Sequence, residues 1–198
     1  MYASQIPEVF KKYVYNIFNP SGDGNCGFRC IAAALEYGET GWFRVLHELS
    51  KEITSNMASY SKILGGESTV NTIIAHLNVM KINNKILASK LLSKMDHGQA
   101  IANTFHRPVV FLSLEESLTF IPTTTSVEDE KSRKDPIHLM HVNGNHWVLA
   151  LLKATNGSKT PIPPIIGSTK YASQVTRGWR TELKENFSIY NQDLQSSK

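Results

Sequence analysis

Cysteine is scarce in this chain. Only two of its 198 residues are cysteines, Cys26 and Cys30. Residues four positions apart on a helix are neighbours, but that spacing does not readily supply the geometry of a disulfide. A disulfide-stapled scaffold is therefore excluded, and the cysteine count favours a reducing intracellular compartment, cytoplasmic or nuclear. A chain delivered into a host cell would carry the same features.

Long hydrophobic runs and dense clusters of positive charge are also missing. No apolar run approaches the roughly 18 residues that span a bilayer, and the N-terminal residues lack the apolar block of a signal peptide, so we expect no membrane partner. The net charge of +4 comes without a dense Lys/Arg run, and nucleic acid is not the expected partner. The composition is that of a folded globular protein, and 198 residues suffice for a single domain over 1–198.

The hydrophobic periodicity changes along the chain. Apolar residues at helical spacing predict helices over about 5–18, 25–37, from Thr40 onward, 69–80, 84–95 and 97–105. Strands are predicted over 108–114, 117–122, 137–142 and 146–153, with hairpins inside each pair. Helices followed by strands favour an α+β fold with a small, mainly antiparallel sheet packed between helices. We expect a core at about 15–153, and a C-terminal extension at 154–198 made of a loop and a peripheral helix over about 171–187.

A glycine-rich turn ends at Cys26, where a helix is predicted to begin. The stretch reads SGDGNCGFRC over 21–30, and Asp23 or Asn25 can cap the helix. The positive end of a helix dipole stabilises a thiolate, and the glycines allow N–H groups of the turn to point at a developing oxyanion. Cys26 therefore has the location of a nucleophile for acyl transfer, whereas Cys30, which lies among alanines, is interpreted as a core residue.

A nucleophile of this kind needs a base, and His146 is the candidate. It starts the last predicted strand, 120 positions after Cys26, so only the fold can bring the two together. His141 is the competitor, because a two-residue Asn-Gly hairpin would place it directly opposite His146, while a longer loop would shift the register. A zinc site built from His138, His141 and His146 with the two cysteines has weak spacing, and no metal is expected.

The segments GDGNCGFRCIAAAL (22–35) and GNHWVLALL (144–152) together resemble the ovarian tumour (OTU) family of cysteine proteases. MDHGQAIANTFHRPVVFL (95–112) also resembles the segment between those two motifs, and the tail from 151 to 179 is similar to transposon-associated members. The resemblance implies a papain-like OTU fold and the cleavage of isopeptide bonds at the C-terminus of ubiquitin or a ubiquitin-like modifier. Its partners would be the modifier and its polymeric chains or conjugates, and no cofactor is implied.

The resemblance also implies roles for individual residues. Cys26 would be the nucleophile, His146 the general base and then the acid, and Asp23 the aspartate of the motif beside the cysteine loop. Backbone N–H groups of Asp23, Gly24 and Cys26 would form the oxyanion site. Trp147 would flank the narrow channel for the Gly-Gly tail of the modifier.

One position departs from the family pattern. Many members have Asp or Asn two residues after the histidine, where this chain has Val148. The group that orients His146 must then be another residue, with Asn143, Asn145 and Asp23 as candidates, or be missing. Loss of that group slows catalysis without abolishing it. Two rival interpretations remain: a weakly active or inactive OTU-like module that binds ubiquitin, and a nucleic-acid-associated domain of a mobile element.

Overall fold

The computed structural model describes residues 2–79, 91–155, 157–167 and 172–197. Within these ranges the chain forms seven α-helices and a five-stranded mixed sheet, which is compatible with the predicted α+β class. The helices are α1 (Cys26–Ala34), α2 (Gly41–Ser55), α3 (Met57–Leu64), α4 (Glu67–Leu77), α5 (Lys94–Phe105), α6 (Gln174–Glu182) and α7 (Lys184–Ser196). The helix predicted over 84–95 lies for the most part outside the described residues.

The sheet has the strand order β1-β5-β4-β2-β3. Its strands are β1 (Val14–Phe18), β2 (Val109–Leu112), β3 (Leu118–Phe120), β4 (Ile137–Val142) and β5 (His146–Leu152). Three neighbouring pairs are antiparallel, while β2 and β4 run parallel. Both predicted hairpins, β2–β3 and β4–β5, are confirmed.

The first strand corrects the predicted helix over 5–18. Residues 3–5 and 8–10 form short 3-10 turns, and Val14–Phe18 pair with β5. The sequence VYNIF is rich in β-branched and aromatic residues, which favour strands. Its apolar spacing also fits a helix, and pairing with β5 decides between the two.

The strands alternate between two hydrophobic clusters, one on each face of the sheet. On β4, Leu139 belongs to the cluster formed with α1, α2, α4 and α5, and the next residue, Met140, belongs to the second cluster. The sheet is therefore covered on both faces. The first of these clusters fixes the position of α1 against β5, which matters for the site.

The segment after β5 is part of the second cluster. Its buried members are Ile162, Trp179 and Leu183. The indole N–H of Trp179 donates a hydrogen bond to the carbonyl oxygen of Thr125 at 2.9 Å. In place of a single peripheral helix over 171–187, α6 and α7 follow one another and pack on this face of the sheet. The predicted extension at 154–198 thus shares a core with the rest of the chain.

Candidate active site

Cys26 and His146 line one cleft of about 680 Å³. Cys26 is the first residue of α1 and His146 is the first residue of β5, and α1 packs on β5. The fold thereby brings together two residues that are 120 positions apart. The cleft is lined by Tyr2, Asn19, Pro20, Gly22, Asp23, Gly24, Cys26, Leu91, Asn143, Asn145 and His146.

The loop before Cys26 is shaped by Asp23. One carboxylate oxygen of Asp23 accepts the N–H of Asn25 at 3.0 Å, and the other accepts a guanidinium N–H of Arg29 at 2.7 Å. Gly24 has φ of +89°, a left-handed conformation that favours glycine. Burial alone would raise the pKa of Asp23, but the hydrogen bonds from Arg29 and Asn25 outweigh it and hold that pKa below its ordinary value. Asp23 is therefore a carboxylate that holds the turn in shape.

Asp23, Gly24 and Cys26 line the cleft at the start of α1 and carry backbone N–H groups there. Within the part of the chain that the structure describes, the N–H groups of Asp23, Gly24 and Cys26 donate no intramolecular hydrogen bond. The N–H of Asn25 is taken by Asp23, and the Asn25 side chain makes no capping bond to α1. Donors without an internal partner, next to a thiol at a helix start, suit the stabilisation of an oxyanion.

His146 is held by Asn19, a residue that the sequence analysis did not select. Nε2 of His146 lies 2.8 Å from Oδ1 of Asn19. An amide oxygen only accepts hydrogen bonds, so Nε2 carries the ring proton of the neutral imidazole and Nδ1 keeps its lone pair. One ring nitrogen is thus fixed, and the other is available as a base.

The three residues proposed from the sequence to orient His146 are engaged elsewhere or unpaired. Asn143 and Gln5 form a reciprocal pair, in which the Asn143 N–H and side-chain oxygen both contact the Gln5 amide. Asp23 binds Arg29, as described above. Among the described residues, the Asn145 side chain makes no hydrogen bond, although Asn145 does line the cleft.

Asn19 has a signal in the sequence that depends on finding β1. It follows directly after Phe18, the last residue of β1, which pairs with Leu149 of β5. Asn19 therefore lies beside the start of β5, where Val148 points into the second hydrophobic cluster and cannot supply a polar group. The predicted helix over 5–18 gives no reason to expect Asn19 near His146, because only the pairing of β1 with β5 brings these two residues together.

The indole of Trp147 lies behind the cleft. It is 8% exposed and is absent from the residues that line the cleft. Its ring packs against Phe111 and His141, and its N–H donates to the carbonyl oxygen of Leu92 at 3.0 Å. Trp147 thus anchors the start of β5, and its backbone N–H donates to Sγ of Cys26 at 3.4 Å.

Leu92 connects the two halves of the site. A Cβ atom on Gly27, the residue after Cys26, would come within 2.7 Å of Cβ of Leu92. The absence of a side chain at Gly27 therefore allows residue 92 to pack on the start of α1 while its carbonyl binds Trp147. This contact holds the first turn of α1 near the start of β5.

The competitor His141 lies away from the cleft. The loop between β4 and β5 has three residues, so that Val142 pairs with His146 and His141 pairs with Trp147. The His141 ring packs against Trp147 in a tilted arrangement with centroids 4.7 Å apart, and partial burial lowers the pKa of His141. The register therefore assigns His146, and not His141, to the cleft.

Two further features bear on the class of site. Within the described ranges, no group of three His, Cys, Asp or Glu side chains is arranged to hold a metal ion. None of the helices described for this chain has the length and apolar character needed to cross a membrane.

No model of a known protein family matches the chain, and no curated protein is significantly similar to it.

Proposed function

We propose that the chain is a cysteine isopeptidase with a papain-like OTU fold, which releases ubiquitin or a ubiquitin-like modifier from conjugates. The observation that carries the proposal is the hydrogen bond from Nε2 of His146 to Asn19, in the cleft that also contains Cys26. It leaves Nδ1 with its lone pair as the base that a thiol nucleophile needs. The choice of modifier rests on the resemblance of the cysteine and histidine motifs.

The first half of the reaction acylates Cys26. Nδ1 of His146 takes the thiol proton, and Sγ attacks the carbonyl carbon of the modifier's C-terminal glycine. The carbonyl oxygen becomes an oxyanion that the N–H groups of Asp23, Gly24 and Cys26 stabilise. The C–N bond then breaks, the lysine amine leaves with the proton from His146, and a thioester remains on Cys26.

The second half releases the modifier. His146 takes a proton from water, the resulting nucleophile attacks the thioester carbonyl, and the same N–H groups hold the second oxyanion. The C–S bond breaks, the modifier leaves with a free carboxylate, and the proton returns to the Cys26 sulfur. The remaining water proton leaves the new carboxylic acid to solvent, so Cys26, His146 and water account for every proton and the mechanism calls for no cofactor.

Hydrolysis of a fluorogenic C-terminal ubiquitin derivative tests the assignment of the base. His146→Ala should lower kcat/KM roughly 100-fold or more, because the general base is lost. His141→Ala is the matched control, since it removes a histidine on the neighbouring strand that faces Trp147, and it should retain most activity. A reversed order of the two variants would contradict the assignment.

A further inference from the structure

The backbone N–H and C=O groups of Trp147 contact the two cysteine sulfurs of α1. Its N–H donates to Sγ of Cys26 at 3.4 Å, and its carbonyl oxygen accepts the S–H of Cys30 at 3.5 Å. Cys26 and Cys30 are one helical turn apart on the face of α1 that meets β5. Both polar groups of one strand residue are thus bound by sulfur.

The sulfurs can occupy this place because β1 ends before it reaches Trp147. The last pair between β1 and β5 is Phe18 with Leu149, two residues beyond Trp147 along β5. In an antiparallel sheet, residues two apart direct their N–H and C=O groups to the same neighbouring strand. Trp147 would therefore need a β1 partner, but the chain has already turned away at Asn19 and Pro20, and proline has no N–H to offer. The two sulfurs of α1 take the place of the missing strand.

We propose that Cys30 is a positioning residue, which holds the backbone of Trp147 by its carbonyl so that the N–H of the same residue points at the sulfur of Cys26. The catalytic meaning of this role rests on the proposed function. Complete burial raises the pKa of the Cys30 thiol far above its ordinary value, so this thiol remains a hydrogen-bond donor throughout the working pH range. Only a protonated sulfur can donate to the Trp147 carbonyl.

The consequence concerns the nucleophile. A hydrogen-bond donor aimed at a sulfur favours its ionised form. When the Cys30 contact is lost, the carbonyl of Trp147 is released, and the backbone of Trp147, which has no β1 partner on this side, can turn its N–H away from Sγ of Cys26. Without that donor the ionised sulfur of Cys26 is less stabilised, and it reacts more slowly near neutrality.

Alkylation of Cys26 by iodoacetamide, followed from pH 5 to pH 9 by peptide mass mapping, tests the proposal. This small reagent does not depend on recognition of ubiquitin, so failure of the proposed function and failure of the positioning role are distinguishable. Cys30→Ala should shift the pH profile of Cys26 alkylation to higher pH and slow it about three- to tenfold at pH 7. Cys30→Ser retains a donor and should restore part of the rate.

Ile31→Val is the matched control, because it removes one methyl group from the adjacent, fully buried position of α1, and this apolar side chain offers no hydrogen bond to Trp147. It should leave the profile unchanged. An unchanged profile in folded Cys30→Ala, or an equal shift in Ile31→Val, would overturn the proposal.

A measurement on the wild-type chain keeps the test decisive if Cys30→Ala does not fold. The amide proton of Trp147 should move in the NMR spectrum as Cys26 ionises, while that of Leu149, which faces β1, should not. A Trp147 amide that is insensitive to Cys26 ionisation would also overturn the proposal.

Discussion

Asn19 supplies the polar partner that His146 needs. Its side-chain oxygen lies 2.8 Å from Nε2, and it reaches the ring from the neighbouring strand instead of from β5 itself. Position 148, two residues after His146, holds a fully buried valine. Because β5 has no polar side chain at position 148, the residue that binds the His146 ring is Asn19, directly after β1.

Replacement of Asn19 tests this arrangement. Asn19→Ala should lower kcat roughly 10-fold or more with little change in KM, because the His146 ring loses its fixed orientation and tautomer. Asn19→Asp retains an acceptor and should keep most of the activity. The quantity to measure is the steady-state hydrolysis of a fluorogenic ubiquitin derivative.

Asn16→Ala serves as the control for that series. Asn16 is an exposed asparagine of β1 whose side chain accepts only the N–H of Ile17 in the described structure, and its loss should leave kcat unchanged. Equal effects of Asn16→Ala and Asn19→Ala would contradict the role of Asn19.

The sequence alone predicts the turn and the helix start that position Cys26. It does not predict that Asn19 is the partner of His146. The turn around Gly24 and the helix start at Cys26 depend on neighbours in sequence, and local patterns predict them well. The contact between Asn19 and His146 spans 127 positions. It depends on β1 joining the edge of the sheet, which no local pattern specifies.

For the strand β4, the sequence predicts the position of the strand but not its register with β5. Its position and its antiparallel pairing with β5 follow from the apolar pattern and from Asn143-Gly144. The sequence does not determine the register between the two strands, because it is compatible with both a two-residue and a three-residue turn. The three-residue turn puts Asn143 at φ of +53°, and its reciprocal hydrogen bonds with Gln5 help to fix this conformation.

His138 makes β4 sensitive to acid. Burial, aided by the charge of Arg107, lowers its pKa from 6.5 to about 3. Below pH 6.5 the unfolded chain binds a proton that the folded chain excludes, so stability is complete above pH 6.5 and falls as the pH drops toward 3. The slope from this residue approaches about 1.4 kcal/mol per pH unit.

His138→Leu should remove that slope. Urea unfolding at pH 7.5, 6 and 5 should show the variant gaining stability relative to the wild type as the pH falls. Met140→Leu, on the same face of β4, is the control, and its effect should not depend on pH. A His138→Leu effect that is the same at all three pH values would argue against the buried neutral histidine.

The C-terminal segment packs against the sheet and against residues near the start of the chain. Trp179 is fully buried in the second cluster, and Asp193 of α7 accepts hydrogen bonds from Lys12 at 2.6 Å and from the Tyr13 hydroxyl at 2.7 Å. The two ends of the chain are therefore joined. The sequence predicts an extension here, because the proline and glycine residues between β5 and α6 are typical of a domain boundary. The packing of Trp179 cannot be seen from such a local pattern.

Trp179→Ala tests whether the segment stabilises the whole domain. The variant should lose about 3–5 kcal/mol of unfolding free energy in urea titrations, since it leaves a large cavity and an unpaired Thr125 carbonyl. Trp179→Phe keeps most of the apolar contact and should lose distinctly less. A change below about 0.5 kcal/mol in Trp179→Ala, the range of ordinary surface substitutions, would show that the segment packs independently.

Under the proposed function, Cys26 attacks the C-terminus of a ubiquitin-type modifier. The most direct measurement is the intact mass of the chain after incubation with ubiquitin that carries a C-terminal thiol-reactive group, beside Cys26→Ala and Cys30→Ala. We expect a single ubiquitin adduct that Cys26→Ala abolishes and Cys30→Ala retains. Folded chain that forms no adduct with ubiquitin or with ubiquitin-like modifiers bearing the same group, or an adduct that persists in Cys26→Ala, would contradict it.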